Sequence, residues 1–254
     1  MEMKRLMSMA TLGLLLLSAG SAVASGTPRQ SQAPPATTTV ETQVIRPGIA
    51  PGIGAEQRPR IQQAQELLEA NRAADAEKIL LEVISAIETK LGADDRIRVS
   101  VASREEFDRF AAGHGGADKV KWVDWAYREA FQLRAYIAAG GGDMERALTL
   151  LGRVEALGPY EAAPLVEKGF VLNKLGRPKE ALDSYRRAYD LTQRFESARP
   201  LAPASLRGIG FSLIELGDLN AARKAFEDSL ELEPGNPNAL AELEYIRSLE
   251  TKRP

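Results

Sequence analysis

The chain of 254 residues is expected to be all-α, a row of helical hairpins stacked into a solenoid and closed by a C-terminal cap helix. Three observations point there. The phrase "LGRPKEALDSYRRAYDLTQ" at 175–193 returns, with substitutions, as "LGDLNAARKAFEDSLELEP" at 216–234. The turn glycines Gly142, Gly176 and Gly217 are spaced by 34 and 41 residues, the second interval being the first plus seven. From Arg60 onward, apolar residues keep helical spacing between short polar turns.

The chain opens with a signature of export. Lys4 and Arg5 precede an apolar run whose greasiest part is Leu14–Leu17, and Ala22-Val23-Ala24 supplies the small-x-small pattern read by signal peptidase. Residues 1–24 are therefore expected to be a cleaved signal peptide, and the bacterial periplasm the destination, with full secretion the other possibility. An uncleaved signal would be the one attachment to a membrane. Residues 25–59 carry Pro28, Pro34, Pro35, Pro47, Pro51 and Pro59 and few large apolar side chains, so they are expected to form a flexible linker rich in Pro, Thr and Gln.

Each hairpin is built on the same ledger of positions. Seven residues before the turn glycine stand Ala135, Gly169 and Gly210; four before it Ala138, Leu172 and Leu213; eleven before it Phe131, Leu165 and Leu206. These positions share one helical face. Five residues after the turn come Ala147, Ala181 and Ala222, and nine after it Leu151, Tyr185 and Phe226. Small residues let two helices approach closely, and the large residue fills the space beyond. Residues 60–91 read as a degenerate hairpin around Asn71, with Ala64, Leu67, Ala76, Leu80 and Val83 in the matching places and no turn glycine. Residues 92–127 are an insert and the start of a long helix. Within the insert, Ile97, Val99 and Val101 alternate like a strand without an evident partner. Ser103 and Glu106 mark a short helix carrying Phe107 and Phe110, and a long helix is expected from about Asp118 to Ala139. The hairpins then occupy 128–161, 162–202 with seven added residues, and 203–236, before a cap helix and tail at 237–254.

This pattern resembles the tetratricopeptide repeat over roughly 60–91 and 128–237. The proline usual after the second helix stands at Pro159 and Pro234 but is replaced by Gln193, where the added residues fall; a longer second helix, about 179–197, is expected there. The resemblance implies a right-handed superhelix whose first helices line a concave surface that holds a peptide or partner helix. The sequence marks a stripe there, ten, six and three residues before each turn glycine: Gln132, Tyr136 and Ala139; Val166, Phe170 and Asn173; Arg207, Phe211 and Ile214. The middle position is aromatic in all three copies. The expected partner-binding residues are Gln132, Tyr136, Val166, Phe170, Asn173, Arg207, Phe211 and Ile214, forming a groove for an apolar peptide or amphipathic helix. Some relatives grip a C-terminal carboxylate here with lysines and asparagines; only Asn173 and Arg207 are available on this stripe, so that mode is not expected. The alternative is a self-associating structural module whose rings are covered by residues 92–117 or by the cap helix.

Catalytic and cofactor chemistry finds little purchase. The chain has no cysteine and one histidine, His114. Gly113-His114-Gly115-Gly116 resembles part of a lipase oxyanion loop, but no G-x-S-x-G elbow accompanies it. Ala138–Asp143 lacks the lysine of a phosphate loop. Asp94-Asp95 and Glu105-Glu106 read as solvated, and Trp122 and Trp125 as packed. Without residues 1–24 the chain keeps 31 basic and 34 acidic residues, a formal charge of −3, which is no footprint for nucleic acid. A non-enzymatic protein with a protein or peptide partner and no cofactor is expected.

Overall fold

One turn, used four times, sets the architecture of the computed structural model, which describes residues 52–251. Among the described residues ten α-helices follow in order: α1 (Arg58–Glu69), α2 (Ala73–Leu91), α3 (Arg104–Gly113), α4 (Trp125–Gly140), α5 (Met144–Leu157), α6 (Ala163–Lys174), α7 (Pro178–Arg194), α8 (Ala202–Glu215), α9 (Leu219–Leu232) and α10 (Pro237–Glu250). The pairs α1/α2, α4/α5, α6/α7 and α8/α9 are hairpins, joined at Asn71, Gly142, Gly176 and Gly217, whose φ angles are 57°, 86°, 69° and 81°. In each turn the next residue donates its N–H to a carbonyl five residues back: Arg72 to Leu67 at 2.7 Å, Asp143 to Ala138 at 2.9 Å, Arg177 to Leu172 at 2.9 Å and Asp218 to Leu213 at 3.0 Å. This is the glycine-type helix stop with a left-handed residue. Asn71 performs it where glycine is missing, because asparagine tolerates that conformation better than other side chains with a Cβ. Asp143 and Asp218 then start the following helices, their carboxylates accepting from the N–H groups of Arg146 and Ala221, both at 3.1 Å.

Close approach of the hairpins rests on small residues facing rings. A Cβ on Gly169 would lie 2.6 Å from the Tyr185 ring, and one on Gly208 would meet the same ring from α8 at 2.2 Å. Tyr185 of α7 is thus pressed between the backbones of α6 and α8. A Cβ on Gly210 would lie 2.6 Å from the ring of Phe226, a side chain with no exposed surface. Burial of one such ring is worth about 1.5–3 kcal/mol. Every hairpin packs on the next: α2 on α4, α5 on α6, α7 on α8, with α10 against α9. The first helices also meet directly, α1 on α4 and α6 on α8, as successive members of an inner row.

Residues 92–123 form a satellite of their own. Ile97–Val99 (β1) pairs in parallel with Val120–Trp122 (β2), Ile97 opposite Val120 and Val99 opposite Trp122. The strand expected to stand alone therefore has a partner, taken from the segment expected to begin the long helix. That helix starts at Trp125 because Asp124 caps it, its Oδ1 accepting from the N–H of Ala126 at 3.1 Å. Val99, Phe107, Phe110, Ala111 and Val120 make the satellite's core. Trp122 stacks on Phe107 with centroids 5.2 Å apart, whereas Trp125 is 39% exposed with the Arg58 guanidinium 5.7 Å from its ring centroid. The expectation that both tryptophans pack holds for Trp122 only. The α3 capping box is reciprocal: Ser103 Oγ accepts from the Glu106 N–H at 3.2 Å, and Glu106 accepts from the Ala102 N–H at 2.7 Å. His114 is exposed; its ring stacks on Phe110 and its Nδ1 lies 2.7 Å from the Phe110 carbonyl oxygen. Asp94 is not free in solvent as expected; hydrogen bonds from Arg96, with Lys121 nearby, hold its carboxyl well below the usual range.

Two boundaries differ from the sequence reading. Residues 52–57, placed in the linker, pack on the fold instead. Ile53 forms a parallel bridge with Val123 and accepts the Asp124 N–H at 3.0 Å, and Ala55–Gln57 is a 3₁₀ turn leading into α1. The prolines and glycines that suggested a tether hide one apolar residue that pairs. The signal peptide expected at 1–24 and the linker at 25–51 lie outside the described residues. Between the last two hairpins, α7 stops at Arg194, and the rest of the seven added residues form a 3₁₀ segment, Glu196–Leu201. Phe195 between them meets Tyr160 at 5.2 Å, and the Arg109 guanidinium of α3 lies 6.0 Å and 5.7 Å from those two rings.

The shared turn gives a direct expectation. Gly217→Ala destabilises the chain by about 1–2 kcal/mol, while Asn71→Gly leaves it equally stable or up to about 1 kcal/mol more stable. Urea unfolding of the two variants measures both signs.

Candidate functional site

The inner row of helices brings the aromatic positions into register. Six residues before each turn stand Gln65 on α1, Tyr136 on α4, Phe170 on α6 and Phe211 on α8, and all three rings are half-buried. Phe170 packs on the cluster built by α1–α5, with Lys174 Nζ 5.4 Å from its ring centroid. Phe211 meets Phe226 edge-on at 5.3 Å and packs on the cluster completed by Ala239, Leu243 and Ile246 of α10. None of the three belongs to the satellite core of residues 92–123, so that insert does not take these rings into its core. The cap helix backs Phe211 from its own side.

The other expected contact residues divide. Gln132 is half-buried and its Nε2 donates to Glu167. Ile214 is half-buried against the α8–α10 cluster. Val166 is 2% exposed and belongs to the core between α6 and α7. Asn173 Nδ2 donates to Ser212 Oγ at 3.1 Å, tying α6 to α8. Arg207 is 6% exposed and ion-paired to Glu233 at the end of α9. Val166 and Arg207 are thus occupied within the array, Gln132 and Asn173 each bond a neighbouring inner helix, and Tyr136, Phe170, Phe211 and Ile214 remain half-buried on the inner row.

The face also carries residues that the stripe did not include. Glu129 on α4 and Glu167 on α6 flank Gln132, and Gln65 Nε2 donates to Glu129 Oε1 at 3.4 Å. Burial pushes the Glu167 carboxyl up to about 8, helped by repulsion from Glu129 and opposed by the hydrogen bond from Gln132. Burial also raises Glu129, with Glu161 adding to the rise, while Arg128 and Gln65 oppose it. The Gln132 Oε1 atom is buried without a hydrogen-bond partner. A signal was present in the sequence: Glu167 sits between Leu165 and Gly169, both core positions of α6. No group of His, Asp and Glu among the described residues could hold a metal ion, and none of their helices is long and apolar enough to cross a membrane.

A carboxyl raised by folding stabilises the fold fully below its unfolded pKa, and that contribution fades as pH rises through the folded value. Thermal midpoints should therefore fall between about pH 5 and about pH 8 through Glu167. Glu167→Gln should flatten this slope, so that the variant gains on the parent as pH rises; scanning calorimetry across the range checks it.

Known proteins place this fold. Residues 160–233 match the tetratricopeptide repeat family. The chain is 27% identical over 195 residues to the Protein CTR9 homolog of Arabidopsis thaliana, an alignment covering 72% of this chain and 17% of that protein, so it spans about a sixth of that relative's length. PilW, a widely conserved type IV pilus biogenesis factor, aligns with a TM-score of 0.55 at 16% identity, covering 76% of this chain and 70% of PilW. Pseudomonas aeruginosa pilF gives 0.55 at 14% identity, covering 77% and 69%. MamA RS-1 gives 0.54 at 16%, covering 79% and 88%. The chain folds as a tetratricopeptide-type helical solenoid, and its hairpins α6/α7 and α8/α9 carry that family's repeat.

Proposed function

We propose that this chain is an exported, non-enzymatic interaction scaffold that buries an apolar peptide or amphipathic helix against the inner row of its helices, as an assembly factor of the bacterial envelope. One observation carries the reading: three hairpins present an aromatic ring at the same inner position, and each ring is left half-buried. Half-buried rings in register offer a partner large apolar area at low entropic cost. Export rests on the charged start, apolar run and Ala22-Val23-Ala24 exit of the N-terminus. A non-enzymatic role is supported by the absence of cysteine, of a nucleophile elbow and of a phosphate loop from the sequence. One observation favours the second reading, a self-associating module: Leu232 and Leu240, at the α9–α10 end, are 53% and 50% exposed. Light scattering from the purified chain separates a monomeric peptide binder from a self-assembled array.

Peptides selected from a random display library against the full chain supply the probe. Tyr136→Ala, Phe170→Ala and Phe211→Ala should each weaken a selected peptide by about tenfold while the thermal midpoint moves only modestly. Affinity that survives all three changes, with a collapsed midpoint, assigns the rings to the core and ends the groove reading.

A further inference from the structure

Elsewhere in this array, enclosed acids are matched with cations. Asp124 holds Arg58, Glu77 holds Arg134 and Arg146, and Glu155 holds Lys168 and Arg187. Glu129 and Glu167 break that habit. Their hydrogen-bond partners are the neutral amides of Gln65 and Gln132. Arg128, whose charge Glu129 feels, gives its hydrogen bond to Glu161 instead. Lys168, the residue after Glu167, is spent on Glu155. Beside the two carboxylates, Gln132 Oε1 is an acceptor with neither a partner nor exposed surface. Two carboxylates and an orphaned carbonyl oxygen, contributed by neighbouring inner helices, make an acceptor set that lacks only its donor. An ammonium or guanidinium group brought to this set would meet it with charge-assisted hydrogen bonds.

We propose that the Glu129–Gln132–Glu167 set receives a lysine or arginine side chain of the bound peptide, and that a neighbouring apolar residue of that peptide lies on Tyr136 and Phe170. The inference rests on the groove reading and specifies its occupant by charge. Glu167 precedes Phe170 by three residues and Glu129 precedes Tyr136 by seven, so acid and ring are about 4.5–10.5 Å apart along their helices. An extended peptide covers that distance in about two or three residues, and a bound helix in one or two turns. Binding at a wholly neutral surface would leave the acceptors buried and unmatched, at a cost that disfavours uncharged competitors. Because burial raises the Glu167 carboxyl to about 8, an arriving cation also drives a proton out there.

The test uses the full chain and the display-selected peptides, by fluorescence anisotropy. Selected peptides should carry Lys or Arg close to an aromatic or aliphatic residue. Replacing that Lys by norleucine, or that Arg by citrulline, should weaken binding about tenfold or more. The double variant Glu129→Gln with Glu167→Gln should lose the same factor, with no further loss when variant and neutral peptide are combined. Calorimetry near neutral pH in two buffers of different ionisation enthalpy should show proton release for the parent peptide and none for its neutral analogue. Equal affinity of parent and neutral peptides on the parent chain overturns the cation site even if the double variant folds poorly; if Tyr136→Ala still weakens binding, the groove stands without it. Failure to select any peptide, or selected peptides indifferent to all three ring substitutions, removes the groove and this inference together.

Discussion

A helical hairpin of this kind cannot shield its own apolar face, and the whole chain is organised around that deficit. The deficit is met when the backbone of one hairpin comes within a ring's thickness of the next, as where Tyr185 is held between Gly169 and Gly208. Such contact tolerates no Cβ on the glycine side and no small residue on the other, since either change leaves a clash or a cavity. It also demands a fixed hairpin geometry, which the left-handed turn at Asn71, Gly142, Gly176 and Gly217 provides. Turn, small residue and ring are therefore one device repeated along the chain, and the inner row of helices follows from its repetition.

What could be read from residue order is what this device writes into local spacing. Turn residues, small positions and rings recur at fixed offsets, so the hairpins and the aromatic row show in the sequence itself. Contacts between distant segments do not. The alternation of β1 shows, but its partner β2 is three residues long and more than 20 positions away, too short for a period of its own and too far for a turn to join. Ile53, set among glycines and prolines, gave no sign that it would pair with Val123. The inner face divides in the same way. The spacing of the three rings shows in the sequence, whereas the internal partners of Asn173 and Arg207, Ser212 and Glu233, lie 39 and 26 positions away. Glu167 shows its core placement between Leu165 and Gly169, but Glu129 belongs to another hairpin, and only stacking brings the two within range of each other's charge.

Stacking concentrates polar groups as well as apolar ones. A helix in an inner row has its flanks turned toward neighbouring helices, so any charged residue there is stripped of water by the same packing that stabilises the array. On the second helices the chain offsets a similar cost with arginine and lysine at Glu77 and Glu155. It leaves the cost in place at Glu129 and Glu167, where burial moves both carboxyls toward the neutral form. Retaining an unpaired enclosed acid is unfavourable for folding. Such groups are often kept for what they meet rather than for what they hold together.

The first hairpin is a boundary of a different sort. It lacks a ring at the inner position, presenting Gln65, so the aromatic row begins only at α4. Yet it is tied to α4 more heavily than apolar packing requires. Arg58 bonds Asp124 through both carboxylate oxygens, at 3.1 and 2.6 Å, and Glu77 of α2 receives Arg134 of α4 and Arg146 of α5. Residues 52–57 and β2 add a further seam at the start of α4. In a solenoid each unit is held mainly by its neighbours, so an end unit with contacts on one side is the first to fray. Ion pairs of defined geometry hold this end unit in a single orientation, and Gln65, carried by it, is thereby delivered to Glu129. The polar end of the inner row thus depends on a hairpin that contributes no ring to it.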